Sequence, residues 1–409
     1  MRTDIRAILD LCKLKILLGV FLLCFSPVLL ADPYHYKNVL VGDRAATMGG
    51  AYNAVSDDST GAYYNPAGLS FSYGDSLSGS GNAYHSTKTT YKESIADKDW
   101  VRDSTAVLPS FFGMIKKIGS ADLAIAYVIP DSIIEHQDEQ YDISDSHPTV
   151  ANYYLSLHSE DRTNMIGPAI SFKMSDSFSI GASLFYSYRI YRHQQHQFIV
   201  YKDTSADTSY ESVKLEEYSY MPKIGIQFTP FEPLYIGLTI SKSFLLSRVL
   251  KRDYSKIESG DYTLFAGAYS QEVDYPIQVS LGVAAYPSPS LLLAMDVDYY
   301  ATTDEDLQSV TNIALGGEWF LNATNAIRGG LFTNNDNRPE CTESSCSQAK
   351  LDMAGLTLGY SSFTRTSSFT LGIVYSTGSG KADVYGDRSV IVDMERESFT
   401  LLFAAGYNY

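Results

Sequence analysis

Apolar and polar residues alternate with a period of two along most of the chain beyond residue 70. In residues 278–286 the apolar side chains fall on one face, and small or polar residues such as Ser280 and Gly282 fall on the other. The same period recurs in residues 291–300, 313–321, 369–375 and 399–409. Alternation of this kind predicts β-strands with one apolar face. We therefore predict an all-β fold.

The lengths of the connections distinguish two all-β architectures. In a soluble exported β-sandwich the apolar faces would meet in a dry core. In an outer-membrane barrel they would face lipid, and the small polar faces, with Asp296 and Glu318 among them, would line the lumen. Short connections are expected at residues 118–120, 175–177, 229–233, 287–290, 322–324 and 365–367. Long polar connections are expected at residues 134–157, 203–210, 252–271, 302–308, 334–350 and 378–388.

Strict alternation of short and long connections is typical of barrels with short periplasmic turns and long extracellular loops. Counting from a first strand in residues 71–86 gives about 14 strands, an even number that returns the chain to the periplasmic side. We therefore predict a transmembrane antiparallel β-barrel over residues 71–409, located in the outer membrane. A soluble exported β protein is the alternative.

The first 31 residues have the pattern of a secretory signal peptide. Basic residues occur at positions 2, 6, 13 and 15, and residues 16–30 carry no charge. This apolar run is shorter than the ~20 residues that a spanning helix needs. We expect cleavage after Ala31. A retained membrane anchor and a lipid-modified Cys24 are the alternatives.

Composition narrows the range of partners. The chain has 32 Tyr, 19 Phe and 29 Gly, which suits a large β protein with many polar–apolar boundaries. Its net charge of −16 is unfavourable for binding phosphates, so no nucleic-acid partner is expected. Cys341 and Cys346 lie close together in a polar stretch, and in an exported protein they predict a disulfide at a loop tip. No His lies near them, so we expect no metal there.

Residues 32–70 do not alternate. Between residues 45 and 54 small side chains are frequent enough for a short helix to lie close to other backbone. Asp57-Asp58-Ser59 predicts a cap or turn, and Asn65-Pro66 predicts a turn opener. We expect this segment to form a plug inside the barrel, with a periplasmic extension as the alternative.

Residues 42–69 resemble the N-terminal plug of the FadL/TodX outer-membrane transporters of long-chain fatty acids and other hydrophobic compounds. The Met-Gly-Gly-Ala stretch at 48–51, Asp57-Asp58 and above all Asn-Pro-Ala-Gly-Leu at 65–69 carry this resemblance. Weaker similarities occur at Pro109, at residues 275–276 and in the ending at residues 403–409. PorV-like proteins, which act in protein secretion or surface attachment, share the plug motif and are the alternative.

The resemblance implies passive uptake of hydrophobic small molecules by a barrel surrounded by outer-membrane lipid and lipopolysaccharide. Fatty acid is the default substrate. In the FadL family the ligand is captured at extracellular loops, passes a site near the plug and leaves sideways through the wall, where the third strand is kinked. A PorV-like role would add a protein partner.

Several residues become candidates through this resemblance. Pro130 lies in the third strand, predicted here over residues 121–134, and has no N–H for a ladder bond. It therefore marks either the kink or the end of the strand at the outer rim. The turn at Asn65, Pro66 and Ala67 either couples ligand binding to opening at the kinked strand or simply leads the plug into the barrel. Arg189 and Lys223 have inward parity, so they would either bind a carboxylate or line an empty lumen.

The sequence contains no signature of catalysis. None of the seven His residues lies in a nucleophile motif such as Gly-x-Ser-x-Gly, and no Gly-rich phosphate loop is present. His193 and His196 would lie on opposite faces of a strand, which argues against a shared metal. We therefore expect no catalytic residues, no metal and no cofactor.

Overall fold

The computed structural model describes residues 34–95, 97–145, 148–258, 260–270, 272–302, 304, 306–341, 349–383 and 391–409. The predicted signal peptide lies outside the described residues. The described chain forms one antiparallel sheet of 16 strand segments that closes on itself through the pairing of β5 with β6. The segments are β1 (Ser76–Ile95), β2 (Lys98–Ile118), β3 (Ala121–Asp142), β4 (Val150–Ser175), β5 (Phe178–Tyr201), β6 (Ala206–Phe231), β7 (Leu234–Lys242), β8 (Phe244–Glu258), β9 (Asp261–Ser270), β10 (Ile277–Ser288), β11 (Leu291–Ala301), β12 (Val310–Asn322), β13 (Asn325–Asn334), β14 (Lys350–Phe363), β15 (Ser367–Asp383) and β16 (Ile391–Asn408).

Two pairs of segments each make a single strand of the wall. β7 and β8 pair one after the other with the same strand, β6, and β10 and β9 pair with β7 and β8 respectively. The wall is therefore a closed 14-strand antiparallel barrel, as the sequence predicted.

Side chains alternate across the wall with their apolar side outward. On β11 the side chains of Leu293 and Met295 are exposed on the outer surface, whereas Asp296 and Asp298 are buried inside the barrel. This distribution is the reverse of that in a soluble sandwich and is typical of outer-membrane barrels. The sandwich alternative is therefore wrong. Among the described residues, no helix is long and apolar enough to cross a membrane.

The connections match the prediction at one end of the barrel only. The six turns predicted to be short join their strands in a few residues each. Several connections predicted to be long are instead strand: β3 continues to Asp142, β4 begins at Val150, and β8 and β9 occupy most of residues 252–270. These extensions have few apolar positions in regular alternation, so the period-two signal is lost. Their backbone groups nevertheless pair across the ladder.

Residues 42–71, called the plug below, contact inward-facing residues of the wall. The plug contains a short α-helix, Arg44–Thr47, and two 3-10 helices, Ser59–Ala62 and Pro66–Phe71. Ala45, Ala46 and Ala51 are fully buried, which shows why small residues are needed there. The first wall strand begins at Ser76, somewhat later than the expected residue 71.

Candidate functional site: plug and central cavity

Inward-facing glycines bring the wall into direct contact with the plug. A Cβ atom added to Gly330 would lie 2.3 Å from the carbonyl carbon of Met48, and one added to Gly237 would lie 2.2 Å from the carbonyl oxygen of Asn53. Similar close contacts occur at Gly181, Gly225, Gly282, Gly316, Gly359 and Gly372. Any larger residue at these positions would displace the plug, so the glycines form a girdle that fixes its position.

A buried carboxylate of the wall binds the plug backbone. One oxygen of Asp296 on β11 accepts hydrogen bonds from the N–H groups of Tyr52 and Asn53, both at 2.8 Å. The side-chain amide of Asn53 donates to the backbone carbonyl of Ser280 at 2.7 Å. These bonds satisfy plug backbone groups that have no regular secondary structure to pair with.

An ionic cluster links the plug to β12 and β13, next to β11 in the wall. The guanidinium of Arg44 donates to Glu318 at 2.9 Å and to Asp57 at 2.6 Å. Arg328 donates to the other oxygen of Glu318 at 2.7 Å. Glu318 is buried, so two arginines, one from the plug and one from the wall, compensate its charge.

The predicted plug turn is the start of the second 3-10 helix. Asn65 is the N-cap of this helix, since its side-chain oxygen accepts a hydrogen bond from the N–H of Ala67 at 3.1 Å. Pro66 occupies the first turn. The Asn65 amide donates to the carbonyls of Asn53 at 2.9 Å and Ile226 at 3.1 Å. The carbonyl of Ala67 accepts from Ser171 and Ser179 at 3.0 and 2.8 Å. The hydrogen bonds of this turn to the wall thus go to β4, β5 and β6.

Pro130 lies inside β3, where both ladders of that strand are disturbed. Its ladder with β4 shifts register between Val128 and Asp131. The ladder with β2 is interrupted between the pairs Phe111–Val128 and Ser104–Glu135. We call this interruption, residues 105–110 opposite 129–134, the first seam. Because β3 continues to Asp142, the alternative that Pro130 ends the strand at the rim is wrong.

The first seam is contacted by the segment that precedes the plug. The N–H of Val39 donates to the carbonyl of Pro130 at 3.1 Å, and the Asn38 amide donates to Asp131 at 3.2 Å. A second proline, Pro109, lies in the seam on β2, and proline has no N–H to donate across a ladder. The backbone hydrogen bond at the kink therefore comes from residue 39 and not from the Asn-Pro-Ala turn.

A cavity of about 420 Å³ lies in the lumen between the plug, residues 34–40 and the wall. Tyr63 and Tyr64 of the plug line it, and so does Pro130 of the first seam. This volume is within the range of small-molecule sites.

Arg189 and Lys223 both line this cavity, in agreement with their inward parity. Arg189 forms a bidentate pair with buried Asp161, at 3.0 and 2.6 Å, so its charge is already neutralised. The Lys223 ammonium donates to the carbonyl of Tyr63 at 2.5 Å and lies 5.0 Å from the centre of that ring. Of the two predicted cations, Lys223 is thus the one held by a neutral group.

Sequence reasoning did not identify Asp296 and Glu318 as plug anchors, although their inward parity was visible. Their partners, Tyr52 and Arg44, are far away along the chain, and only the closed barrel brings them together. Cys341 is disulfide-bonded, and Cys346 lies outside the described residues. Among the described residues, no group of three or more His, Cys, Asp or Glu side chains is placed to hold a metal ion.

Comparison with known proteins gives matches in structure but not in sequence. No protein-family model matches this chain, and no curated protein matches it. Among solved structures, the toluene transporter TodX of P. putida superimposes with a TM-score of 0.68 at 12% identity, covering 91% of this chain and 99% of TodX. A Pseudomonas aeruginosa FadL homologue gives 0.66 at 13% identity with coverages of 91% and 99%. The monoaromatic hydrocarbon channel CymD gives 0.63 at 11% identity with the same coverages.

Proposed function

We propose that this chain, which has the fold of the FadL/TodX transporters of hydrophobic compounds, is an outer-membrane protein for passive uptake of hydrophobic small molecules. The observation that carries the proposal is the cavity of about 420 Å³ that extends from the plug to an interruption in the barrel wall. The neighbours named above are transporters or channels, which agrees with a role other than catalysis. Residues 1–31 would direct export and be removed.

The physical problem for an apolar solute is the polar surface of the outer membrane and not its hydrocarbon interior. A water-filled pore would not help such a solute, because transfer of apolar surface into water is unfavourable. A closed lumen with a sideways opening avoids that step. The first seam supports such an opening, because the wall there lacks its ladder and Val107 beside it is 75% exposed on the outside.

The route we propose runs from the extended strands on the extracellular side into the cavity and out through the first seam. Val39 contacts both the cavity and the carbonyl of Pro130. A ligand that displaces residues 34–40 would therefore release a backbone hydrogen bond at the kink. The Asn65-Pro66-Ala67 turn would hold the plug against β4–β6 while this occurs.

The substrate class is the least constrained part of the proposal. Long-chain fatty acids follow from the sequence resemblance, whereas TodX and CymD are named for toluene and monoaromatic hydrocarbons. Lys223 favours an amphipathic ligand, because its ammonium contacts a carbonyl and would gain a stronger hydrogen bond from a carboxylate. Arg189 would contribute less, since Asp161 already occupies its guanidinium.

Native mass spectrometry of the mature protein, extracted gently from its own outer membrane, tests this proposal. We expect a bound apolar or amphipathic small molecule that is lost in Asn65→Ala and in Met221→Trp, which would fill the cavity. Met174→Trp is the matched control, because Met174 is 53% exposed away from the cavity. An empty barrel that carries a stoichiometric protein partner would contradict the proposal and favour a secretion-linked role.

A further inference from the structure

The barrel wall contains a second interruption, five strands away from the first. The ladder of β7 with β10 ends at the pair Lys242–Ile277, and the ladder of β8 with β9 resumes at Val249–Ser270 in the same register. Between them, residues 243–247 lie opposite residues 272–276, which form no strand. β8 remains paired with β6 along the other edge, through pairs such as Tyr220–Phe244. We call residues 243–247 and 272–276 the second seam.

The two seams lie at nearly the same height in the wall. β3 begins at Ala121 and its seam begins at Ile129, while β7 begins at Leu234 and the second seam begins at Ser243. Since strands rise by a similar amount per residue, both seams are about equally far from the short turns. The outer surface at the second seam is also apolar, because Phe244 and Leu246 are 41% and 57% exposed.

Both seams open onto the same cavity. Its lining includes Pro130 and Asp131 at the first seam and Ser243, Val273 and Pro276 at the second. One continuous space thus connects two points in the wall where the backbone ladder is absent. A single exit would need only one such point.

Side chains, rather than backbone pairing, close the second seam. The ammonium of Lys242 lies 2.8 Å from the carboxylate of Asp274, which joins β7 to the opposite side of the seam. The Tyr275 hydroxyl donates to Glu217 on β6, and Arg248 lies 3.3 Å from the same carboxylate. The Lys242–Asp274 pair is partly exposed, and such pairs contribute little to stability. The seam can therefore open without breaking any ladder of the barrel.

We propose that the second seam is a lateral entrance through which apolar small molecules dissolved in the outer layer of the membrane reach the cavity. The Lys242–Asp274 pair acts as its latch, and the ligand then leaves through the first seam. This inference rests on the proposed transport function and adds an entry route and the residues that control it. No covalent step is involved, because opening requires only that the Lys242–Asp274 ion pair separates and that the Tyr275–Glu217 hydrogen bond breaks.

Stopped-flow fluorescence on the full mature protein in lipid nanodiscs tests the latch, with N-phenyl-1-naphthylamine as an apolar probe. We expect Lys242→Glu, which places two acids at the latch, to accelerate probe association several-fold. The swap Lys242→Glu with Asp274→Lys restores the attraction and should return the rate to that of the wild type. Lys173→Glu is the matched control, because Lys173 pairs with Asp176 at 2.9 Å next to a short turn.

A cross-link provides an independent test. With Lys242→Cys and Asp274→Cys joined by a bifunctional maleimide, probe association should slow several-fold relative to the same variant carrying a monofunctional maleimide. An unchanged rate in both the charge variants and the cross-linked protein, with normal probe binding by the wild type, would overturn the second entrance and leave the proposed function intact. Failure of the wild type itself to bind any apolar probe would overturn both.

Discussion

At the residue scale, the missing Cβ atoms of the glycine girdle decide where the plug lies. Gly329 and Gly330 are neighbours on β13 but face opposite sides of the wall. A Cβ on Gly330 would collide with Met48, whereas a Cβ on Gly329 would come no closer than 3.6 Å to another atom. Substitution at these two positions therefore distinguishes the close contact of the wall with the plug from the effect that any glycine has on strand stability.

We expect Gly330→Ala to destabilise plug docking by about 1–3 kcal/mol, the usual effect of overpacking, and Gly329→Ala to have little effect. Ion conductance in planar bilayers measures the displaced plug, and heat-dependent mobility on gels checks that the barrel is folded. Equal conductance of the two variants would show that contact between wall and plug backbone is unimportant.

Asp296 gives a polar counterpart to the girdle. Asp296→Ala would leave the N–H groups of Tyr52 and Asn53 without their acceptor. Each unpaired buried group costs about 1–3 kcal/mol, so we expect faster cleavage within the plug by an added protease. Asp138→Ala is the control, since Asp138 is exposed on the outer part of β3. Cleavage at the wild-type rate in Asp296→Ala would contradict the anchoring role.

At the element scale, β3 shows how one residue type can interrupt two ladders. Pro109 and Pro130 lie in the same unpaired stretch between β2 and β3, and neither can donate a backbone hydrogen bond. The strand is kinked but not ended, because its residues beyond the bulge pair with β4 again. Local sequence could place the proline, but the continuation of the strand depended on a neighbour far away in the chain.

Replacing Pro130 by Val supplies an N–H and favours a regular strand at the first seam. We expect slower uptake of an apolar probe into cells and unchanged folding of the barrel. Pro168→Val is the matched control, because Pro168 lies opposite Ile125 in a regular part of the ladder between β3 and β4, away from the register shift. Normal uptake by Pro130→Val would remove the first seam from the transport route.

At the scale of the whole molecule, the barrel closes without any contribution from the plug. The ladders that join β1 to β16 and β5 to β6 involve wall residues only. The plug, in contrast, depends on the wall, since its carbonyls, N–H groups and Arg44 find partners there. We therefore expect the wall to fold without the plug, and the plug to need the wall.

Deletion of residues 34–71 tests this difference. We expect a barrel that still folds and that conducts ions through a water-filled lumen, because deletion empties the space that the plug fills and many inward groups of the wall are charged, Asp296, Glu318 and Arg328 among them. Conductance in planar bilayers and heat-dependent gel mobility measure the two properties, with the full mature chain as reference. A deletion variant that fails to fold would show that the plug is part of the folding unit.

The sequence by itself determined the barrel, its strand number and the location of the plug motif. The local signals are the period-two alternation, the short turns and the non-alternating segment at residues 42–69. Each depends on whether a residue faces lipid, faces the lumen or lies in a turn, and this environment determines the residue type. The alternation also sufficed to predict that the side chains of Asp296, Arg189 and Lys223 face the lumen. Residue type alone predicted a turn opener at Asn65 and Pro66, where the structure has the N-cap and first turn of a 3-10 helix.

Only the tertiary structure decided which inward groups meet. Asp161 neutralises Arg189, Glu318 binds Arg44, and Val39 donates to Pro130 because barrel closure brings distant strands and the plug together. The extended outer strands and the second seam were also invisible in the sequence, since ladder pairing depends on the neighbouring strand and not on the pattern of the strand itself. Register and closure are global properties, and the proposed transport route depends on them.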